Sequence, residues 1–128
     1  MSLQSLAKRK LVIADDDSDS RTMLAFLLEQ EGWEVREAKD GKEALEQVLA
    51  QQPDLLILDN RMPELTGAEV YQNLQARGIK LAVVLVTAYN QVDELASSLG
   101  ISYFVNKPYD IKKLLTTIES AYENSPSS

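Results

Sequence analysis

Residues 55–63 read LLILDNRMP, in which four apolar residues are followed at once by an aspartate, Asp59. A short continuous apolar run is typical of a strand that is buried on both faces of a parallel sheet. The proline that ends the segment cannot continue a central strand. We therefore expect Asp59 to lie exposed at the carboxyl end of a strand, just before a loop.

Polar side chains end three other apolar segments in the same way. They are Asp15 and Asp16 after residues 11–14, Thr87 after residues 81–86, and Lys107 two residues after residues 103–105. In open parallel sheets, ligands bind outside the carboxyl ends of the strands. Carboxylates suit hard cations such as Mg²⁺, and an ammonium or hydroxyl suits phosphoryl oxygens. The pattern predicts a metal and phosphoryl site, at which Asp59 could be a ligand only or also a nucleophile.

The composition limits the function further. With 128 residues, 45% of them hydrophobic, the chain has the size and the core of one domain. The absence of cysteine and histidine excludes zinc-thiolate sites, histidine bases and a role as a phosphohistidine donor. A net charge of −7 argues against direct contact with nucleic acid. No apolar run approaches the ~18–20 residues of a membrane span, and no signal peptide is recognisable, so we expect a cytoplasmic location.

Two hydrophobic periodicities alternate along the chain and predict five βα units, an α/β fold with a parallel sheet covered on both faces. Strands are expected at residues 11–14, 33–38, 55–58, 81–86 and 103–105, with the polar second strand at an edge and the apolar fourth strand as a central strand. The basic residues 8–10 are expected to precede the first strand as a solvated edge.

Apolar spacing also predicts which helix residues face the sheet. A first helix, capped by Ser18 or Asp19, has Met23, Phe26, Leu27 and Gln30 on one stripe. A second helix over residues 42–51 has Ala44, Leu45, Val48 and Leu49 inward. Thr66 and Glu69 fit a capping box that opens a third helix, and two more helices follow near Val92 and Asp110.

Four segments in order resemble the motifs of response-regulator receiver domains, the CheY-like superfamily of two-component signalling. They are VIADDD at 12–17, LDNRMP at 58–63 with Gly67, VTA at 86–88 and FVNKP at 104–108. The resemblance covers residues 10–123 and leaves residues 1–9 as an N-terminal extension and 124–128 as a tail or linker start. It implies a flavodoxin-like (βα)5 fold, a doubly wound five-stranded parallel sheet with strand order 2-1-3-4-5.

The resemblance also implies residue roles. Asp59 would be the phosphoacceptor, and Asp16 and Asp59 would bind Mg²⁺ directly together with the backbone carbonyl of Arg61. Asp15 would act on the metal largely through water. Such a domain is no enzyme for other substrates, because it catalyses only its own phosphorylation and dephosphorylation.

Further residues would sense the phosphoryl group. Thr87 would follow it, Lys107 would pair with it before a cis proline, and Phe104 would be an aromatic switch, although a plain core role also fits Phe104. Arg61 and Tyr89 take two variable positions beside the site, and we expect their bulk to screen the acyl phosphate from water.

The implied partner is a sensor histidine kinase or a histidine phosphotransfer protein. The signal would leave through the surface of helix 4, strand 5 and helix 5. Asp93, Glu94, Lys112 and Lys113 on this surface could pair in a homodimer or with a partner, or could be a solvated rim.

Three alternatives compete with this interpretation. Residues 15–17 could do no more than cap the first helix. A phosphatase like the haloacid dehalogenases needs the motif D-x-D-x-[TV]. In the segment that starts at Asp59, Arg61 occupies the position of the second aspartate. In the segment that starts at Asp15, the second aspartate is present as Asp17, but Asp19 occupies the position of Thr or Val. A binding module that is never phosphorylated is disfavoured, because every expected site residue is present.

Overall fold

The computed structural model describes residues 8–88 and 92–124, and strands and helices alternate strictly along them. The elements are β1 (Arg9–Ala14), α1 (Ser18–Gln30), β2 (Trp33–Ala38), α2 (Gly41–Gln51), β3 (Leu55–Leu58), α3 (Gly67–Ala76), β4 (Ala82–Thr87), α4 (Val92–Leu99), β5 (Tyr103–Asn106) and α5 (Ile111–Glu123). The five predicted βα units are therefore confirmed.

The five strands form one parallel sheet in the order β2-β1-β3-β4-β5. This confirms the doubly wound, flavodoxin-like arrangement and the edge position of β2. The apolar β4 lies between β3 and β5, so it is a central strand as predicted. Strand order reverses between β1 and β3, and this reversal creates a crevice at their carboxyl ends.

The inner strands β1, β3 and β4 bury both of their faces, in two separate core layers, whereas the edge strands β2 and β5 keep exposed residues. Leu11 and Ile13 of β1 belong to the layer under α1 and α5. Val12 and Ala14 belong to the opposite layer under α2, α3 and α4. Successive side chains of a strand point to opposite faces, so a continuous apolar run is what a doubly covered sheet requires.

Helix α1 packs with a different face from the one predicted. Met23 and Phe26 are 64% and 59% exposed, whereas Leu24, Ala25 and Leu28 are buried against the sheet. The sequence of α1 holds two overlapping apolar stripes, and contact with the sheet, which helical periodicity cannot reveal, selects the Leu24–Leu28 stripe. The helix cap also differs, because Asp17 accepts the hydrogen bond from the Ser20 N–H.

Two smaller predictions also need correction. Leu49 of α2 is 40% exposed, although Ala44 and Val48 are buried as expected. Arg9 lies within β1 rather than in a solvated edge before it. Its guanidinium bonds Glu119 at 2.9 Å and lies 4.1 Å from the ring centre of Trp33, so it ties β1 to α5 and β2.

The described elements start at Arg9 and end at Glu123. Most of the predicted N-terminal extension and C-terminal tail lies outside the described residues, and the domain limits remain a prediction. Over residues 8–88 and 92–124, no helix combines the length and apolarity needed to cross a bilayer.

The two stripes of α1 can be separated by mutation. We expect Leu28→Ala to lower the free energy of unfolding by about 2–5 kcal/mol, because it opens a cavity in the core. Phe26→Ala, on the exposed stripe of the same helix, should lower it by about 0.5 kcal/mol or less. Urea denaturation measures both, and a larger loss for Phe26→Ala would contradict the observed packing of α1.

Candidate functional site

The sheet brings the predicted site residues to one place. Ala14 of β1 pairs in register with Leu58 of β3, so Asp15 and Asp59 leave neighbouring strands at the same level. The Asp59 N–H donates to the Ala14 carbonyl at 3.0 Å and extends the ladder by one residue. The Lys107 N–H donates to the Thr87 carbonyl at 2.9 Å in the same way.

Three carboxylates meet at this point. One oxygen from each of Asp15, Asp16 and Asp59 lies within 4.8 Å of the other two. Asp16 is exposed, but Asp15 and Asp59 are each only 7% exposed, so the expectation of an exposed Asp59 was wrong. The Asp59 carboxylate contacts the Lys107 ammonium and the Arg61 N–H, and the start of α3 at Gly67 closely approaches the Asp59 carbonyl. Buried like charges require compensation.

Lys107 supplies most of that compensation. Its Nζ lies 2.7 Å from Asp15 Oδ2 and 2.9 Å from Asp59 Oδ2. The other oxygen of each carboxylate accepts a backbone N–H, from Asp17 at 2.9 Å and from Arg61 at 3.1 Å. Three carboxylates and one ammonium leave a net charge of −2 at the site, which favours a divalent cation.

Burial works to lower the pKa of the Lys107 ammonium, but this effect is outweighed. The hydrogen bonds to Asp15 and Asp59, together with their negative charges, raise the pKa of Lys107 above its ordinary value of 10.5. Lys107 therefore stays protonated at neutral pH and supplies a permanent positive charge to the site.

The helix-cap alternative applies to one of the three consecutive aspartates. Asp17 is the N-cap of α1 and accepts from the backbone and the hydroxyl of Ser20. Those hydrogen bonds, the hydroxyl bond foremost, lower the pKa of Asp17. Asp15 and Asp16 belong to the carboxylate cluster instead.

This cluster has the chemistry of a magnesium site. Mg²⁺ binds oxygen ligands and usually takes one or two carboxylates while it keeps several waters. Asp15, Asp16 and Asp59 offer such oxygens close together, so they could hold the ion. Arg61 lies in the loop with its side chain exposed, and the metal role of its carbonyl remains a prediction.

The predicted switch residues lie at the other side of the site. Thr87 is fully buried at the end of β4, and Phe104 of β5 is 37% exposed beside Leu85. The Lys107–Pro108 bond is cis, as predicted. The roles of Thr87 and Phe104 remain predictions, and Tyr89 lies outside the described residues.

The outer edge of the site is open. A cavity of about 440 Å³ is lined by Ser20, Ala88, Lys107, Pro108 and Tyr109. Its lining includes the lysine that contacts Asp15 and Asp59, so the cavity borders the carboxylate site. Beside it, burial raises the pKa of Tyr109, whose hydroxyl therefore stays neutral at physiological pH.

Sequence reasoning missed Arg21. Its Nη1 donates to the Asp15 carbonyl at 2.7 Å and its Nε to Glu37 at 2.9 Å, so it joins β1, α1 and the end of β2 behind the cluster. The position of Arg21 in the sequence was a signal for this role. A cation near the N-terminus of a helix is unfavourable with the helix dipole, so a nearby hydrogen-bond acceptor is expected to stabilise it.

Comparison with known proteins gives a consistent result. The response regulator receiver domain family matches residues 11–119. The response regulator MprA of Mycobacterium leprae is 36% identical over 113 residues, which cover 87% of this chain and 50% of MprA. The chain thus spans about half the length of the curated relatives it first matches.

Solved structures agree. The receiver domain of the Francisella response regulator 1452 superposes with a TM-score of 0.83 at 26% identity, covering 90% of this chain and 97% of that one. TrrA of Thermotoga maritima, solved in complex with Mg²⁺ and BeF, gives a TM-score of 0.80 at 28% identity, covering 88% and 98%.

The compensating role of Lys107 can be tested in metal-free protein. We expect Lys107→Gln to lower the free energy of unfolding at pH 7 by about 1–3 kcal/mol, because two buried carboxylates lose a charged donor. Lys113→Gln, on the exposed side of α5, should change it by about 0.5 kcal/mol or less.

The pH dependence has a defined sign. A raised pKa in the folded protein means that the stabilising effect of Lys107 is complete below its ordinary pKa and is lost only as the pH rises through the folded-state value. The stability difference between wild type and Lys107→Gln should therefore not fall between about pH 7 and 9. A decrease over this range would show that Lys107 does not compensate the carboxylates as described.

Proposed function

The chain belongs to the response regulator receiver domain family, and we propose that it is a signalling module switched by phosphorylation of Asp59. The observation that carries the proposal is the contact of one ammonium, that of Lys107, with both Asp15 and Asp59 inside a three-carboxylate cluster. The Lys107 ammonium is therefore within hydrogen-bond distance of the nucleophile and of one candidate metal ligand, and the three carboxylates lie within 4.8 Å of one another.

The reaction we propose transfers a phosphoryl group from a phosphohistidine of another protein. An oxygen of the Asp59 carboxylate attacks phosphorus in line with the bond to the imidazole nitrogen. That P–N bond breaks with its electron pair left on the imidazole, while a P–O bond forms and gives an acyl phosphate. Because the chain has no histidine, the donor must come from a sensor histidine kinase or a histidine phosphotransfer protein.

Neutralisation of charge is the main requirement of this transfer. The Lys107 ammonium, now shared by two carboxylates, can turn to pair with an incoming phosphoryl oxygen. A bound Mg²⁺, held by Asp16 and Asp59 with the Arg61 carbonyl and by Asp15 through water, would supply the remaining positive charge. The complex of TrrA with Mg²⁺ and BeF supports this choice of metal by similarity.

The response to phosphorylation is proposed to pass from Thr87 to Phe104. Thr87 ends β4 within the buried edge of the site, and Phe104 lies on the neighbouring strand, half-exposed. An inward turn of Phe104 would change the surface formed by α4, β5 and α5.

That surface also carries the groups through which a homodimer or a partner could bind. The side chains of Asp93 and Glu94 on α4 and of Lys112 and Lys113 on α5 are exposed. Charges of both signs on the two helices that pack against β5 suit paired contacts between two copies or with another protein.

Other properties of the module are proposed on the same basis. The chain catalyses only its own phosphorylation and dephosphorylation, and the exposed Arg61 prolongs the acyl phosphate by limiting access of water. Cytoplasmic location and the absence of direct nucleic-acid contact remain predictions from composition.

Acetyl phosphate tests the proposed function directly. With Mg²⁺, we expect intact-mass spectrometry to show the addition of one phosphoryl group to the wild-type chain, and no addition once the metal is chelated. Asp59→Asn should abolish the addition, whereas Asp54→Asn at the opposite end of β3 should retain it.

The same experiment discriminates the competing functions. Continuous release of phosphate over many turnovers with no phosphorylated chain accumulating would indicate a phosphatase. An unchanged mass at every concentration would indicate a binding module that is not phosphorylated, and either result would overturn the proposal.

A further inference from the structure

We infer that Gly41, the first residue of α2, is a positioning residue for the Asp59 site, because its lack of a side chain sets where the loop of residues 59–66 lies. The contact between Gly41 and this loop is a property of the fold. Its consequence for metal binding and phosphorylation rests on the proposed function.

The approach of Gly41 to the loop is close. A Cβ atom on Gly41 would lie 1.9 Å from the carbonyl oxygen of Leu65 and 2.6 Å from its carbonyl carbon and Cβ. Side-chain Cβ atoms in proteins do not come within 3.0 Å of such atoms. Even alanine would therefore force a separation of about 1 Å, and because the nearest atoms are backbone, no rotation of the Leu65 side chain can relieve it.

The same contact includes a hydrogen bond. The Gly41 N–H donates to the Pro63 carbonyl at 3.2 Å, and the Leu65 N–H donates to that carbonyl at 2.8 Å. The first turn of α2 thus binds the far half of the loop through its backbone as well as through shape.

Helix α2 is the less movable partner in this contact. Asp40 caps it by accepting from the Glu43 N–H at 2.8 Å, and Glu43 accepts in return from the Lys39 N–H at 3.1 Å. Ala44 and Val48, at 0% and 2% exposure, lock the helix on the sheet. A side chain at residue 41 would therefore move the loop rather than the helix.

The other end of the loop is held by α3. The Gly67 N–H donates to the Asn60 carbonyl at 3.0 Å, and the Ala68 N–H donates to Asn60 Oδ1 at 3.0 Å. The loop is thus held between the starts of two helices, so a displacement of residues 63–65 is transmitted along the loop rather than lost at a free end.

The residues between these two contacts are the ones that orient the acceptor. The Arg61 N–H donates to Asp59 Oδ1 at 3.1 Å, close to the upper limit of a good N–H···O bond. A displacement of about 1 Å there would weaken this bond and turn the carboxylate. Shifts of this size can slow a reaction about 100-fold when they misplace the reacting group.

Gly78 provides the matched control. Gly78 has a φ of +72°, a left-handed conformation in which alanine is strained, but a Cβ at Gly78 would lie within 4 Å of no other atom. Gly41 does not have a positive φ among the described residues, so alanine at 41 is crowded without backbone strain. Gly78→Ala lowers stability without touching the loop, and it separates a loss of stability from a loss of positioning.

The experiment compares wild type, Gly41→Ala and Gly78→Ala below the unfolding temperature of all three. Amide NMR spectra follow the Arg61 N–H, calorimetry measures Mg²⁺ affinity, and mass spectrometry follows phosphorylation by acetyl phosphate. We expect Gly41→Ala to shift the Arg61 amide and to weaken Mg²⁺ binding and slow phosphorylation by about tenfold or more. Gly78→Ala should leave all three readouts close to wild type.

Two results would overturn the inference. One is a folded Gly41→Ala protein whose Arg61 amide and Mg²⁺ affinity match those of Gly78→Ala. The other is a Gly41→Ala chain that does not fold, since the loop is expected to absorb the displacement. A wild-type protein that neither binds Mg²⁺ nor accepts phosphate would refute the proposed function instead, and the Arg61 amide would still decide the role of Gly41.

Discussion

Repulsion among three carboxylates at neighbouring strand ends is the constraint on which the rest of the site depends. Charges within 4.8 Å of one another repel by about 3 kcal/mol or more per pair at an effective dielectric constant of ~20. This is a sizeable part of the 5–15 kcal/mol that typically stabilises a domain. Lys107 offsets part of the repulsion, and the remaining negative charge makes the site receptive to a divalent cation. Phosphoryl transfer to Asp59 uses the same positive charges.

The scaffold serves to keep these charges together. The reversal of strand order between β1 and β3 places Asp15 and Asp59 side by side, and burial of both strand faces makes that placement rigid. The loop after β3 then depends on the starts of α2 and α3, where Gly41 and Gly67 allow close backbone contact. The site is thus defined by a rigid sheet on one side and a loop held at both ends on the other.

Much of this arrangement could be predicted from sequence, because short apolar runs that end in polar residues reveal parallel strands and the edge at which they meet. The face of α1 could not be predicted, since Met23 and Leu24 belong to overlapping stripes and only the sheet selects between them. The burial of Asp59 and the contact of Gly41 with Leu65 depend on tertiary contacts around the loop after β3. Such contacts join residues that are distant in sequence, so they cannot be predicted from local hydrophobic periodicity or motif spacing.

The most direct test of the account is chemical identification of the phosphorylated residue. Borohydride reduces an acyl phosphate on aspartate to homoserine, and peptide sequencing by mass spectrometry then locates the modified position. After phosphorylation in the presence of Mg²⁺, the account predicts homoserine at position 59 alone. Homoserine at position 15 or 16, or phosphate found on the Thr87 hydroxyl with Asp59 unmodified, would contradict the assignment of Asp59 as the acceptor.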